Sequence, residues 1–71
     1  SLVVGGGGLQ RGLVLELLDQ GWKFRLKVMR GKLYLCARQG QKERSITLFD
    51  EETKQFIEEN KIVVRGYNDE N

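Results

Sequence analysis

Residues 22–39 read WKFRLKVMRGKLYLCARQ and alternate between apolar and polar side chains with a period of two. This alternation is typical of β-strands that bury one face. Arg30 and Gly31 interrupt it, and they suit a two-residue hairpin loop because Gly31 accepts a positive φ. The register that this loop imposes opposes apolar to apolar in three pairs, which are Phe24 with Ala37, Leu26 with Leu35 and Val28 with Leu33. The sequence therefore predicts a β-hairpin over residues 22–39.

A third strand is predicted at residues 44–49, after a four-residue turn at residues 40–43. In the register across this turn, apolar residues again face one another, and two aromatic rings meet on the opposite side of the sheet. The predicted pairs are Ala37 with Ile46, Leu35 with Leu48, and Tyr34 with Phe49. The pattern thus predicts a three-stranded antiparallel meander.

The segment before the hairpin has the spacing of an amphipathic helix. Its stripe of apolar positions consists of Leu9, Leu13, Val14, Leu17 and Leu18. Gly21 stands where a C-cap glycine belongs, so we predict a helix over residues 9–20. A strand over residues 13–18 is the competing interpretation. Leu15 falls off the stripe, and a second apolar edge on a short helix indicates a subunit interface.

A second helix is predicted from Glu51 to about Asn60, because Asp50 is a good N-cap and the first turn is acidic. Residues 61–65 are rich in β-branched side chains and predict a fourth strand or an arm. The apolar face of the meander needs a cover, and the two helices are the candidates. The predicted fold is therefore a two-layer α+β domain, a three- to four-stranded antiparallel sheet with helices packed on one face.

Length and composition limit the chain to one domain. Of its 71 residues, 39% are hydrophobic and 31% are charged, which is a globular mixture. We assign residues 9–67 to the domain, residues 1–8 to a flexible Gly-rich arm and residues 68–71 to a frayed polar tail. A phosphate-binding loop is the alternative for the glycines at 5–8, but the Gly-Lys-Ser/Thr that should follow them is missing.

Several classes of protein are excluded by what the sequence lacks. No apolar run, such as Leu13-Val14-Leu15, exceeds five residues, which is far too short to span a membrane, and no signal-peptide pattern opens the sequence. We therefore predict a cytoplasmic protein without membrane contact. With no histidine and a lone cysteine, Cys36, the chain has no means for zinc sites, Ser–His or Cys–His catalysis or internal disulfides. We predict that it is not an enzyme and binds no cofactor and no metal.

Charge is distributed unevenly along the chain. The net charge is only +2, but residues 21–49 carry eight basic residues and one acid, Glu43, for a net charge of +7. The remaining residues carry four basic and nine acidic side chains, for a net charge of −5. Such asymmetry indicates a polyanionic partner.

The side of the sheet that the helices leave uncovered is where we predict a binding site. Cations on such a surface bind phosphates, and aromatic rings stack on bases. The predicted nucleic-acid-binding residues are Lys23, Arg25, Lys27, Lys32, Tyr34, Arg38, Phe49 and, more weakly because its alternation phase places it in the core, Trp22. Cys36 lies among these cations, which should lower the pKa of its thiol. Without a resolving cysteine or a histidine base we predict a passive role for Cys36.

Three strings carry a resemblance to a known family, and they are LLDQGW at 17–22, GKLYLCARQG at 31–40 and SITL at 45–48. They resemble small archaeal nucleic-acid-binding proteins, in particular the ThermoDBP-related single-stranded DNA-binding proteins, over roughly residues 13–60. The resemblance implies an α+β domain that is not an OB-fold. It also implies oligomeric binding of single strands through basic and aromatic side chains, with little sequence preference.

The first functional hypothesis is a non-enzymatic, sequence-tolerant protein that binds single-stranded DNA or RNA as a homo-oligomer, a dimer or a tetramer. The second is a duplex-DNA-binding module that inserts its sheet into the major groove, where Arg25 and Arg38 would contact guanine edges. The third is a protein-interaction or oligomerisation module with no nucleic-acid role, whose basic side docks an acidic partner.

Overall fold

The computed structural model describes residues 9–69, which form two helices and a four-stranded sheet. The elements in chain order are α1 (Arg11–Asp19), β1 (Lys23–Met29), β2 (Lys32–Gln39), β3 (Lys42–Leu48), α2 (Glu51–Glu59) and β4 (Val64–Arg65). The strand order is β3-β2-β1-β4. Strands β1 to β3 form an antiparallel meander, and β4 pairs with β1 in parallel. The predicted α+β fold is confirmed, with a mixed rather than purely antiparallel sheet. The predicted arm, residues 1–8, lies outside the described residues.

Both helices pack on the same side of the sheet. The core cluster draws Val14 and Leu17 from α1, Phe56 and Ile57 from α2, and alternate apolar residues from the strands. Arg11 of α1 forms an ion pair with Glu52 of α2 at 3.1 Å, so the first turns of the two helices approach each other. Within the described residues, no helix has the length and apolarity needed to cross a bilayer.

The first hairpin has the predicted register at every position, from Lys23 opposite Arg38 to Met29 opposite Lys32. Its two-residue loop has positive φ at both positions, 55° at Arg30 and 75° at Gly31. A type I′ turn requires this combination, and its twist matches that of the flanking strands.

The second hairpin differs from the prediction because its turn is shorter. Gln39 pairs with Lys42, which leaves a two-residue turn of Gly40 and Gln41. Gly40 has a φ of 61° at the first loop position, where a type II′ turn favours glycine. The predicted partners of Tyr34, Leu35 and Ala37 are therefore wrong, and the observed partners are Leu48, Thr47 and Arg44 respectively.

A β-bulge in β3 changes which side chains of this strand are buried. The register shifts by one residue midway along the β2–β3 pair, so Ile46 and Thr47 are both buried and Leu48 is 37% exposed. Phe49, just after the strand, enters the core and meets the ring of Tyr67 edge-on, with centroids 4.9 Å apart. The bulge thus buries Phe49 in place of Leu48. Burial of a phenyl ring removes more apolar surface from water than burial of a leucine side chain, which stabilises the bulged register.

The end of α1 is a Schellman motif, and Gly21 ends the helix as the predicted C-cap glycine. The Trp22 N–H donates to the Leu17 carbonyl at 3.0 Å, and the Gly21 N–H donates to the Leu18 carbonyl at 3.1 Å. Gly21 has a φ of 91°, which a glycine adopts without steric cost. The motif also carries Trp22 into the core beside Leu17.

The end of α2 repeats the Schellman motif without a glycine. The Ile62 N–H donates to the Ile57 carbonyl at 3.0 Å, and the Lys61 N–H donates to the Glu58 carbonyl at 3.2 Å. Lys61 occupies the left-handed position with a φ of 55°. A residue with a Cβ is strained in this conformation, so Lys61 weakens the motif relative to glycine.

Asn68 holds the short strand β4 in place. Its Oδ1 accepts from the Val64 N–H at 2.7 Å, and its Nδ2 donates to the Ile62 carbonyl at 2.9 Å. Asp69 accepts from the Gly66 N–H at 3.1 Å. Residues 68 and 69, which we assigned to a frayed tail, thus hold hydrogen bonds to residues 62–66, and residues 70–71 lie outside the described range.

Candidate nucleic-acid interface

The side of the sheet that faces away from the helices carries a cluster of cations. In β1 exposed lysine and arginine alternate with residues that turn toward the core. The hairpin register brings the outward residues of β2 beside them, and the parallel pairing places Arg65 of β4 next to Arg25. We call this surface the basic face, and its members are Lys23, Arg25, Lys27, Lys32, Tyr34, Arg38 and Arg65.

Six of the eight residues predicted for binding lie on the basic face, and the other two do not. Phe49 is only 7% exposed and Trp22 only 8% exposed, both within the core cluster. Their burial argues against the predicted role in stacking, since a buried ring has no free face for a base. Tyr34 is the remaining predicted ring, and it lies half-buried between Lys27 on one side and Leu48 on the other.

Lys27 is neutralised by the one acid of the meander. Its Nζ donates to Glu43 Oε1 at 2.9 Å, which joins β1 to β3 across the middle strand. This hydrogen bond, with help from nearby Arg25 and Arg38, holds the pKa of the Glu43 carboxyl below its usual range. Lys27 is therefore less available to a polyanion than the unpaired cations around it.

Cys36 lies in the row between Arg25 and Ser45, yet it is only 1% exposed. Burial is the main cause that raises the pKa of its thiol, and the nearby Glu43 carboxylate acts in the same direction. Lys27 and Arg25 lower the pKa but do not overcome these effects. The predicted lowering of the thiol pKa is therefore wrong. The buried thiol behaves as a small packing residue.

Arg65 is the residue of the basic face that the sequence analysis missed. Ile62 and Val64 are almost fully buried, whereas Val63 and Arg65 are exposed, so this segment does alternate as a strand should. The alternation signals that Arg65 points outward. It does not tell which strand is its neighbour, because a parallel pair has no connecting turn that fixes the partner.

At the end of the sheet where β1 begins and β2 ends, the basic face continues into an open depression beside β4. The cations that line the depression are Lys23, Arg25, Arg38, Lys61 and Arg65. We call these five residues the edge cluster. None of them forms an ion pair with another residue of the range 9–69. Asp69 also lines the depression, but its carboxylate accepts a hydrogen bond from the Gly66 N–H.

The helical layer carries the opposite charge. Strand β1 contributes three cations and no acid, whereas α2 contributes four glutamates and one lysine. Since α2 packs on the far side of the sheet, negative charge gathers behind the basic face. The predicted placement of Arg25, Tyr34 and Arg38 on one side of the sheet, with the acidic α2 behind it, is confirmed. The separation of charge is incomplete, because Lys42 and Arg44 lie on the helical side and Glu43 lies on the basic side.

Comparison of the chain with protein-family models, with curated proteins and with solved structures gives no match. The resemblance to the ThermoDBP-related proteins therefore stays a prediction from the sequence. In the part of the chain that the structure describes, no group of three or more carboxylate and thiol side chains comes together as a metal site would require. The basic face and the edge cluster are therefore the features of the structure that bear on function.

Proposed function

We propose that this protein binds nucleic acid through the basic face and holds the phosphates of a single strand with little preference for sequence. The observation that carries the proposal is the gathering of six lysines and arginines on one side of the sheet, with acidic helices on the other side. A surface of this kind attracts a polyanion and orients the protein toward it.

Phosphate contacts supply most of the affinity in this proposal. Arg25 and Arg38 present planar forks of N–H donors that fit phosphate oxygens, and Lys23 and Lys32 act as point charges. Tyr34 supplies the one stacking surface of the predicted set, because Phe49 and Trp22 are buried. Contacts to phosphates carry no sequence information, so binding should vary little with base composition.

Duplex DNA is the second candidate ligand, and the burial of two predicted rings favours it. A surface with a single half-buried ring gains less from unstacked bases than the sequence suggested. Strands can also enter the major groove, where Arg25 and Arg38 would contact guanine edges. Single strands and duplex are therefore direct competitors in the test.

The test is a fluorescence-anisotropy titration of labelled oligo-dT, oligo-rU and a duplex oligonucleotide at about 50 and 200 mM salt. If Lys23, Arg25, Lys32 and Arg38 each neutralise one phosphate, the log–log salt slope on single strands is about −3. Affinity for oligo-dT should then fall roughly fiftyfold between the two salt concentrations. Arg25→Gln should weaken binding, whereas Arg44→Gln should not, because Arg44 pairs with the core residue Ala37 and lies on the helical side.

Each alternative result has a definite meaning. A salt-independent affinity for oligo-dT would contradict the phosphate mechanism. If the duplex outcompetes single strands and single mismatches reduce its affinity, the duplex-reading module replaces the first proposal. If no oligonucleotide binds, the remaining candidate is a module that docks an acidic protein. The proposal includes a cytoplasmic location, which a reduced, unpaired Cys36 fits.

A further inference from the structure

Two like-charged pairs follow one another along the start of β1. Lys23 lies directly opposite Arg38 in β2, and Arg25 lies directly opposite Arg65 in β4. Like charges opposed in a sheet destabilise it. The second pair is costly in its context, because the parallel contact between β1 and β4 has only two residue pairs, and one of them is Arg–Arg. Two acids lie near these pairs, Glu43 opposite Arg38 in β3 and Asp69 in the depression. Neither forms an ion pair with a member of the two pairs among residues 9–69, so the fold retains much of this repulsion.

Lys61 places a further cation in the same depression at an additional cost. It occupies the left-handed position of the α2 Schellman motif, where glycine would be unstrained. Its side chain lines the depression together with Arg65 and Arg25. A strained lysine thus stands where a glycine would improve stability, beside a pair of arginines that already repel each other.

We infer that Arg65 and Lys61 form a phosphodiester-binding site at the β4 edge, so that the bound strand runs from the basic face over this edge of the sheet. The inference rests on the proposed function and adds the path that the bound strand takes across the protein. A phosphate between these side chains and Arg25 relieves the repulsion that the protein carries when free. The bound strand therefore leaves the basic face beside β4 as well as at the hairpin tip near Lys32.

Two simpler roles account for the same residues without a ligand. Lys61 lies just beyond the C-terminus of α2, where a cation interacts favourably with the helix dipole. Arg65 lies on an edge strand, where charge discourages pairing with other chains. Under these roles, removal of either charge lowers stability or promotes aggregation and leaves oligonucleotide binding intact. The phosphodiester site requires instead that removal of either charge weakens oligonucleotide binding and does not lower stability.

The experiment compares Arg65→Gln and Lys61→Gly with the wild-type protein in the anisotropy titration with oligo-dT. Loss of one phosphate contact reduces the salt slope by about 0.7, which weakens binding roughly eightfold at 50 mM salt and threefold at 200 mM. The matched controls are Arg44→Gln and Lys42→Gln, which remove the same charges from the other side of β3 and should bind as the wild type does. The melting temperature should be unchanged or higher in Arg65→Gln and higher in Lys61→Gly, since repulsion and backbone strain are relieved.

The outcomes separate this inference from the function on which it rests. If Arg25→Gln weakens binding but Arg65→Gln and Lys61→Gly bind as the controls do, the edge site is wrong and the proposed function stands. If the wild-type protein itself fails to bind oligo-dT, the proposed function is wrong. A lower melting temperature in Lys61→Gly with unchanged affinity assigns Lys61 to the helix dipole and overturns its part in the site.

Discussion

Asp50 fixes the first turn of α2 and makes its stability depend on pH. Its Oδ1 accepts from the Thr53 N–H at 3.0 Å, and this bond holds the pKa of the carboxyl below its usual range. Such a carboxylate contributes stability above its unfolded pKa, and the contribution is lost as pH falls through its folded pKa. Asp50→Ala should lower the free energy of unfolding by about 1 kcal/mol near neutral pH. The loss, measured by urea denaturation, should become smaller as the pH is lowered into the acid range.

Asp50→Asn is the matched control for this prediction. The asparagine keeps an oxygen that accepts from the Thr53 N–H but has no proton to titrate, so it should retain most of the stability near neutral pH. The stability of the Asp50→Asn protein should also vary less between neutral and acid pH. Equal losses in the alanine and asparagine variants would contradict a capping role for Asp50.

The positions of individual cations were predictable from the sequence, whereas the burial of individual rings was not. Strict alternation in β1 places Lys23, Arg25 and Lys27 on one side whatever the neighbouring strands do. The location of Phe49 depends on the single extra residue of the bulge in β3, and the contact of its ring with Tyr67 stabilises that location. Local periodicity contains no information about a ring that lies 18 residues further along the chain.

The strand β4 depends on one side chain for its conformation. Asn68 satisfies the Val64 N–H and the Ile62 carbonyl, and both of these residues are buried. Asn68→Ala leaves two backbone groups without these partners, so it should lower the free energy of unfolding by about 1–3 kcal/mol. Amide hydrogen exchange should report the change as faster exchange at Val64, with smaller effects in the first hairpin.

Asn68→Asp provides the control for this substitution. The aspartate retains an oxygen that accepts from the Val64 N–H but loses the donor to the Ile62 carbonyl, so exchange at Val64 should stay slower than in the alanine variant. If Val64 exchanges at the wild-type rate in Asn68→Ala, the side chain does not hold β4 and the strand is secured by its core residues alone.

The first hairpin could be predicted because loop length and apolar pairing specify the same register. The second hairpin could not be predicted in the same way, since a shift of two residues leaves every side chain on its original face. The alternation therefore cannot tell a two-residue turn at Gly40 and Gln41 from a four-residue one. The bulge places Phe49 rather than Leu48 in the core. This choice depends on packing against residues distant in sequence, about which the periodicity gives no information.

Self-association is a proposal that the exposed side of α1 supports. Leu15, which lies off the predicted apolar stripe, is 42% exposed, and Leu18, which was predicted on that stripe, is also 41% exposed. Leu15→Glu should leave the free energy of unfolding within about 0.5 kcal/mol of the wild type, because the site is outside the core. The mass measured by light scattering should fall, since a charge in an apolar contact opposes association.

Val28→Glu serves as the control for this substitution. Val28 is an exposed apolar residue at the hairpin end, away from α1, and its replacement should not change the mass. An unchanged mass in Leu15→Glu would show that Leu15 lies outside any subunit contact. A lower mass in Val28→Glu alone would move the contact to the hairpin.

The negative charge of the helical layer affects how polymer strands coated with this protein would interact with one another. Under the proposed function, copies that bind a strand through the basic face turn the four glutamates of α2 outward. A polycation charged on every surface bridges neighbouring strands and gathers them into bundles, whereas these coated strands present carboxylates to one another and repel within about 8–10 Å at physiological salt. The proposed function is therefore to coat a polyanion without condensing it.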